Sequence, residues 1–121
     1  MIVDDIRDIL IQAAPEKRLD SKLYIIMVVK DTSDSECQSC LDAVSTVINW
    51  ISDRSVNGSV RLVLVDAIDD KRMWSKLRIY NNVSGMPKSI ICDNRMSIID
   101  IVQGVMSASY MDEFLLKYLL K

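Results

Sequence analysis

The chain has 121 residues, half of them hydrophobic, with three glycines and two prolines, which predicts a single compact domain over residues 1–121. Its net charge is only −2 and it has no basic stripe, which argues against nucleic acid as a partner. Its apolar runs are all shorter than the roughly 20 residues that span a bilayer, so no membrane partner is expected.

The predicted elements begin with a helix, a buried strand and a second helix. Apolar residues at helical spacing predict a helix over residues 3–14, which ends at Pro15. The continuous apolar run 23–29 predicts a strand that is buried on both faces. After a polar loop, apolar residues recur every three or four positions from Cys37 to near Arg54, which predicts an amphipathic helix.

The second half of the chain is predicted to alternate in the same way and then to close with a hairpin. Residues 60–65 form a buried strand that ends at Asp66, and residues 69–80 form a short helix. A strand over 89–92, a tight turn over 93–95 and a strand over 96–102 make the hairpin, which Gly104 ends. The last helix covers 110–120 and places five apolar residues on one face: Met111, Phe114, Leu115, Tyr118 and Leu119.

The order of these elements, α-β-α-β-α-β-β-α, predicts an α/β fold. Strands that are separated by helices pair in parallel through crossovers, whereas the closing hairpin adds antiparallel strands. We therefore expect a central mixed sheet of about four strands with helices on both faces.

Three cysteines and the absence of histidine narrow the possible chemistry. A disulfide-stabilised secreted domain usually has an even and larger number of cysteines. Without histidine, a Ser-His-Asp triad, a Cys-His pair and the commonest zinc and non-haem iron sites cannot form. The acidic first residues lack the order of a signal peptide. We expect a soluble cytoplasmic protein that uses thiols, carboxylates or its backbone.

The motif Cys37-Gln38-Ser39-Cys40 carries the most chemistry. It lies where a loop leaves a buried strand and enters a helix, which is where α/β sheets position their sites. The helix dipole and the unpaired N–H groups there favour thiolate, so Cys37 can attack a disulfide and Cys40 can resolve the mixed disulfide. The motif alone leaves a structural or metal-binding role open, although zinc would need two further ligands and Cys92 is the only other thiol.

From residue 23 to the C-terminus, the sequence resembles the thioredoxin family. Asp31 precedes Cys37 by six residues, the dithiol opens a long helix, and Gly85-Met86-Pro87 precedes the hairpin. The resemblance implies a thioredoxin-like fold and thiol–disulfide exchange through a redox-active disulfide, with no bound cofactor and no metal.

The resemblance also implies a role for each matching residue. Cys37 is the attacking thiol and Cys40 the buried resolving thiol. Asp31 is a partly buried acid beneath the dithiol that exchanges a proton with Cys40, because burial raises its pKa towards neutrality. Pro87 is cis, and Gly85 and Met86 belong with it to the substrate-binding loop, where Met86 offers backbone groups to a substrate strand.

The sequence departs from the family around the dithiol. Glu36 replaces the usual tryptophan, and Gln38-Ser39 replaces Gly-Pro. The charge of Glu36 disfavours a thiolate on Cys37, whereas Ser39 can donate a hydrogen bond to one.

Three functional hypotheses follow from these residues. The first is a cytoplasmic reductant of protein disulfides, reduced in turn by an electron-donating reductase and acting as a monomer or weak dimer. The second is a redox-inactive binding module of the same fold in a larger assembly. The third is a glutaredoxin-like enzyme that needs Cys37 alone to reduce glutathione mixed disulfides. Cys92, Trp50 and most methionines are expected to be packing residues.

Overall fold

The computed structural model describes residues 21–29, 38–66 and 87–120. These residues form four strands and two helices: β1 (Leu23–Val29), α1 (Gln38–Asp53), β2 (Val60–Asp66), β3 (Lys88–Asp93), β4 (Ile98–Gln103) and a C-terminal helix, α2, over 108–119. The predicted helices over residues 3–14 and 69–80 lie outside the described residues. Among the described helices, none is both long and apolar enough to cross a membrane.

The strands form one mixed sheet in the order β2-β1-β3-β4. The central strand β1 pairs in parallel with β2, from Leu23 opposite Val60 to Val29 opposite Asp66. It pairs antiparallel with β3, from Leu23 opposite Asp93 to Val28 opposite Lys88. All seven residues of β1 are buried, as the continuous apolar run predicted. The predicted mixed four-stranded sheet is confirmed.

The strand β2 is less buried than its sequence predicted. Its position at one end of the described sheet leaves Leu64 exposed and Arg61 and Leu62 half-buried. Only Val60, Val63 and Val65 of this strand are buried among the residues whose side chains are described.

The loop of the β3–β4 hairpin is longer than the predicted tight turn. The Asp93 carboxylate accepts hydrogen bonds from the backbone N–H groups of Arg95 and Ser97, at 2.8 and 3.0 Å. Met96 takes a left-handed conformation, with φ of 65°, which prevents it from continuing a strand. The strand β4 therefore begins at Ile98 and not at Met96.

The helix α1 packs on one face of the sheet through its predicted apolar stripe. Its buried residues are Cys40, Ala43, Val47, Trp50 and Ile51. They share one hydrophobic cluster with alternate residues of β1 and with two residues of α2: Leu23, Ile25, Met27, Val29, Met111 and Leu115. Both described helices therefore cover the same face of the sheet.

The helix α2 is π-helical over half of its length. An α-helical turn, Ala108–Tyr110, leads into the π-helical Met111–Leu116 and a last α-helical turn, Lys117–Leu119. A π-helix has a wider turn than an α-helix, so residues four apart share a face better than residues three apart. Met111 and Leu115 are accordingly buried, whereas Phe114 is 36% exposed. The prediction that Phe114 shares their buried face is wrong.

Candidate active site

The candidate site lies at the end of the sheet where β1 ends and α1 follows. Because β3 runs antiparallel to β1, the start of β3 at Lys88 is opposite Val28, near the end of β1. Cys40 in the first turn of α1 and Pro87 before β3 therefore belong to the same end of the sheet. The other four predicted site residues lie outside the described residues: Asp31, Cys37, Gly85 and Met86.

Cys40 is the third residue of α1 and is completely buried. It packs in the same hydrophobic cluster as Met27 and Val29, the last residues of β1 on that face. Its two predecessors in the helix, Gln38 and Ser39, are exposed, and the Gln38 amide donates a hydrogen bond to the Asp42 carboxylate at 2.9 Å. The first turn of α1 contains no acidic residue, so no carboxylate within it offsets the positive end of the helix dipole.

Pro87 is buried, and its carbonyl fixes the open end of the β3–β4 hairpin. This carbonyl accepts a hydrogen bond from the Gly104 N–H at 2.8 Å. Gly104 has a φ of +83°, which glycine adopts at little cost, and open space lies where a Cβ would stand. The backbone conformation, and not a lack of space, therefore explains why glycine is found at this position. Its hydrogen bond holds Pro87, the residue before β3, next to Gly104, the residue after β4.

Ser89 is a buried residue of this region that sequence reasoning did not single out. It lies opposite Met27 on one side and Val102 on the other. Its side chain is completely buried, and its hydroxyl has no hydrogen-bond partner among the described residues. A buried hydroxyl without a partner costs about 1–3 kcal/mol. The available signal was a serine at the start of an otherwise apolar predicted strand.

Cys92 is buried on the other face of the sheet. It lies opposite Tyr24, whose side chain points away from the face that Cys40 packs against, and its Sγ is 3.8 Å from the Tyr24 carbonyl oxygen. Burial, followed by the nearby charge of Asp93, raises the pKa of this free thiol to about 12. The predicted packing role is confirmed. Because Cys40 and Cys92 are on opposite faces, they cannot ligate one metal ion. The described residues contain no group of three or more metal-ligating side chains.

Comparison with known proteins identifies the architecture. No protein-family model and no curated protein matches the chain. Among solved structures, the oxidised thioredoxin of Plasmodium falciparum aligns over 95% of this chain and 90% of its own, with 16% identity and a TM-score of 0.59. Chloroplastic thioredoxin z aligns over 94% of this chain and 88% of its own, with 15% identity and a TM-score of 0.65. The fold is thioredoxin-like.

A second parasite protein shows the same likeness. Thioredoxin-2, a component of the malaria parasite protein secretion machinery, aligns over 79% of this chain and 82% of its own, with 14% identity and a TM-score of 0.62. At such identities the likeness extends to the fold alone. The thioredoxin-like fold that the sequence predicted is thus confirmed, with Cys40 in the helix that follows the central strand and Pro87 at the start of the hairpin.

Proposed function

We propose that the protein is a thiol–disulfide oxidoreductase that exchanges a dithiol, formed by Cys37 and Cys40, with protein disulfides. The observation that carries this proposal is a completely buried cysteine, Cys40, in the first turn of the helix that follows the central strand of a thioredoxin-like sheet. Cys40 is disulfide-bonded and Cys92 is free. Since the chain has three cysteines, this supports Cys37 as the partner of Cys40.

The proposed reaction has two exchange steps. The Cys37 thiolate attacks one sulfur of the substrate disulfide, and the other substrate sulfur leaves as a thiolate. The Cys40 thiolate then attacks the Cys37 sulfur, which releases the second substrate thiolate and closes the disulfide between the two cysteines. Two electrons pass to the substrate, and the two protons of the dithiol end on the two substrate thiols. No bound cofactor takes part.

A proton acceptor is needed in the second step, because Cys40 is buried among apolar side chains and burial favours its neutral thiol. We assign this role to Asp31, which follows β1 in sequence. The predicted substrate loop consists of Gly85, Met86 and Pro87. The burial of Pro87 at the same end of the sheet as the start of α1 supports its place beside the dithiol.

The direction of electron flow completes the proposal. We propose a single-domain cytoplasmic reductant, a monomer or weak dimer, that receives electrons from a reductase. The reduction potential of the disulfide tests this direction. A value near or below about −220 to −320 mV, the cytosolic glutathione range, is expected for a reductant. A much higher value would instead indicate an oxidant or isomerase.

Trapping of mixed disulfides tests the reaction itself. Without the resolving thiol, the Cys40→Ser variant is expected to accumulate substrate proteins bound through Cys37, whereas the wild type reduces a model protein disulfide. The Cys92→Ser variant is the matched control, because Cys92 is also buried but lies on the other face of the sheet. An absence of both reduction and trapping would contradict the proposal.

Two further variants separate the alternatives. If the double variant Cys37→Ser, Cys40→Ser supports function as well as the wild type, the protein is a redox-inactive binding module. If Cys40→Ser retains full turnover on glutathione mixed disulfides, Cys37 acts alone and the enzyme is glutaredoxin-like.

A further inference from the structure

The buried hydroxyl of Ser89 is on the same face of the sheet as Cys40. In an antiparallel pair, directly opposite residues place their side chains on the same face, and Ser89 is opposite Met27. Met27 belongs to the hydrophobic cluster that contains Cys40, and Val102, opposite Ser89 on β4, packs against that cluster. Ser89 thus places a hydroxyl on the face of the sheet on which Cys40 packs.

The position of Ser89 along the strand also places it near the site. It is the second residue of β3, and it follows Pro87 by two residues. Met27 is two residues before the end of β1, the end from which the chain continues towards α1. Ser89 is therefore close to the same end of the sheet as Cys40. Its hydroxyl is completely buried and has no partner among the described residues, in a structure in which Cys40 is disulfide-bonded.

We propose that the Ser89 hydroxyl donates a hydrogen bond to the Cys40 sulfur when the disulfide opens. This inference rests on the proposed function, because it requires that Cys40 alternates between a disulfide and a thiol. A disulfide sulfur is a poor acceptor and has no hydrogen to donate, whereas a neutral thiol forms a weak hydrogen bond with a hydroxyl and a thiolate is a strong acceptor. The hydroxyl is accordingly unpaired in the oxidised protein and paired in the reduced protein.

This contact supports the second exchange step. Cys92 shows the direction in which burial acts on a thiol, since burial, followed by the nearby charge of Asp93, raises its pKa to about 12. A hydroxyl donor beside Cys40 stabilises the thiolate that attacks the Cys37 sulfur. The same hydrogen bond favours the dithiol over the disulfide at equilibrium, so Ser89 makes the protein a weaker reductant than its Ser89→Ala variant.

The stability of the two redox forms tests the contact without any substrate. Urea unfolding is measured for the oxidised and the reduced forms of the wild type and of Ser89→Ala. In the oxidised form the substitution removes an unpaired buried hydroxyl, so the urea midpoint is expected to rise. In the reduced form it removes a hydrogen bond, so the midpoint is expected to fall. A purely structural role of Ser89 would move both midpoints in the same direction.

The redox equilibrium measures how strongly the proposed hydrogen bond favours the dithiol over the disulfide. In glutathione buffers, Ser89→Ala is expected to shift the equilibrium constant about tenfold towards the disulfide, which corresponds to about 30 mV. Ser89→Thr keeps a hydroxyl and is expected to retain the wild-type potential. Val102→Ala is the matched control, because it removes packing opposite Ser89 without removing a hydroxyl. It is expected to lower both midpoints and to leave the potential unchanged.

The outcomes separate this inference from the proposed function. If the midpoints move in opposite directions but no protein disulfide is reduced, the hydrogen bond between Ser89 and Cys40 is supported and the proposed function is contradicted. If Ser89→Ala moves both midpoints alike, or moves neither, the contact is contradicted whatever the activity. If peptide mapping after oxidation shows no disulfide between Cys37 and Cys40, both are contradicted.

Discussion

At the scale of single residues, the two described cysteines show how environment decides chemistry. Both Cys40 and Cys92 are completely buried. Cys40 is in the first turn of a helix at the end of the sheet, whereas Cys92 is within a strand, with its sulfur against a backbone carbonyl. Burial favours the neutral thiol at both positions, but only at Cys40 does a helix start oppose that effect by favouring thiolate. Only the first environment suits disulfide exchange.

The raised pKa of Cys92 predicts a loss of stability at alkaline pH. The folded protein holds this thiol neutral up to a pKa of about 12, whereas the unfolded chain releases the proton near the ordinary thiol pKa of 9.0. The stabilising contribution is therefore fully present below pH 9 and is lost as the pH rises towards 12. Urea unfolding of the wild type between pH 8 and pH 10.5 is expected to show this decline, and Cys92→Ala is expected to show a shallower one. Equal slopes would contradict the prediction.

Some features of single residues could be predicted and others could not. The burial of Cys92 and Trp50 followed from their residue types and positions in apolar patterns. The left-handed conformation of Met96 could not be predicted, because a large apolar residue rarely adopts it. The unpaired hydroxyl of Ser89 could not be predicted either, because only the register of the strands shows which residues surround it.

At the scale of elements, one carboxylate joins the two described helices. Asp112 of α2 accepts hydrogen bonds from the Trp50 indole at 2.9 Å and from two nitrogens of Arg54, the residue after α1, at 2.9 and 2.8 Å. The hydrogen bond from Arg54, followed by the one from Trp50, lowers the pKa of Asp112. This link connects the end of α1 that is far from Cys40 to the C-terminal helix.

The lowered pKa of Asp112 predicts a stability difference that depends on pH. Its contribution is present above the pKa of the unfolded chain, near 3.8, and is lost as the pH falls below it. At pH 7, Asp112→Asn is expected to have a lower urea midpoint than the wild type, and the difference is expected to shrink towards pH 3. Glu113→Gln is the control, since it removes the same charge from the next residue. An equal effect of both variants at pH 7 would contradict a specific role for Asp112.

The elements show what hydrophobic patterning can and cannot predict. The strand β1 matched its predicted bounds because a continuous apolar run has one interpretation within a sheet. The predicted face of α2 was partly wrong because α- and π-helical turns place the same residues on different faces. In the candidate site, the start of α1 could be predicted from the change of period, while the roles of the residues around it depended on a family resemblance.

At the scale of the whole molecule, the sheet has a fully buried centre and a more exposed edge. The central strands β1 and β3 contribute Ile25 and Ile91, which are completely buried opposite each other. In β4, at one end of the described sheet, Ile101 is 36% exposed. The core is therefore centred on β1 and β3. Both faces of these two strands are buried, and the two described helices cover one of them.

Two matched substitutions test this distribution of the core. Ile91→Ala is expected to lower the free energy of unfolding by about 2–5 kcal/mol, because it leaves a cavity in a fully packed region. Ile101→Ala removes the same atoms from the edge and is expected to cost about 1 kcal/mol or less. Both values come from urea unfolding of the same protein preparation. Similar losses for the two variants would show that the edge strand is packed as closely as the centre.

The central position of β1 has a consequence for protein synthesis. Its antiparallel partner begins far along the chain, since Val28 pairs with Lys88, 60 residues later (88 − 28 = 60). At about 5–20 residues per second, the ribosome needs about 3–12 s to add that distance. During this interval the seven residues of β1 lack their antiparallel neighbour β3, although α1 and β2 are made before it. Among the described strands, β1 is buried at every residue in the folded protein and is thus synthesised well before the strand that completes its pairing.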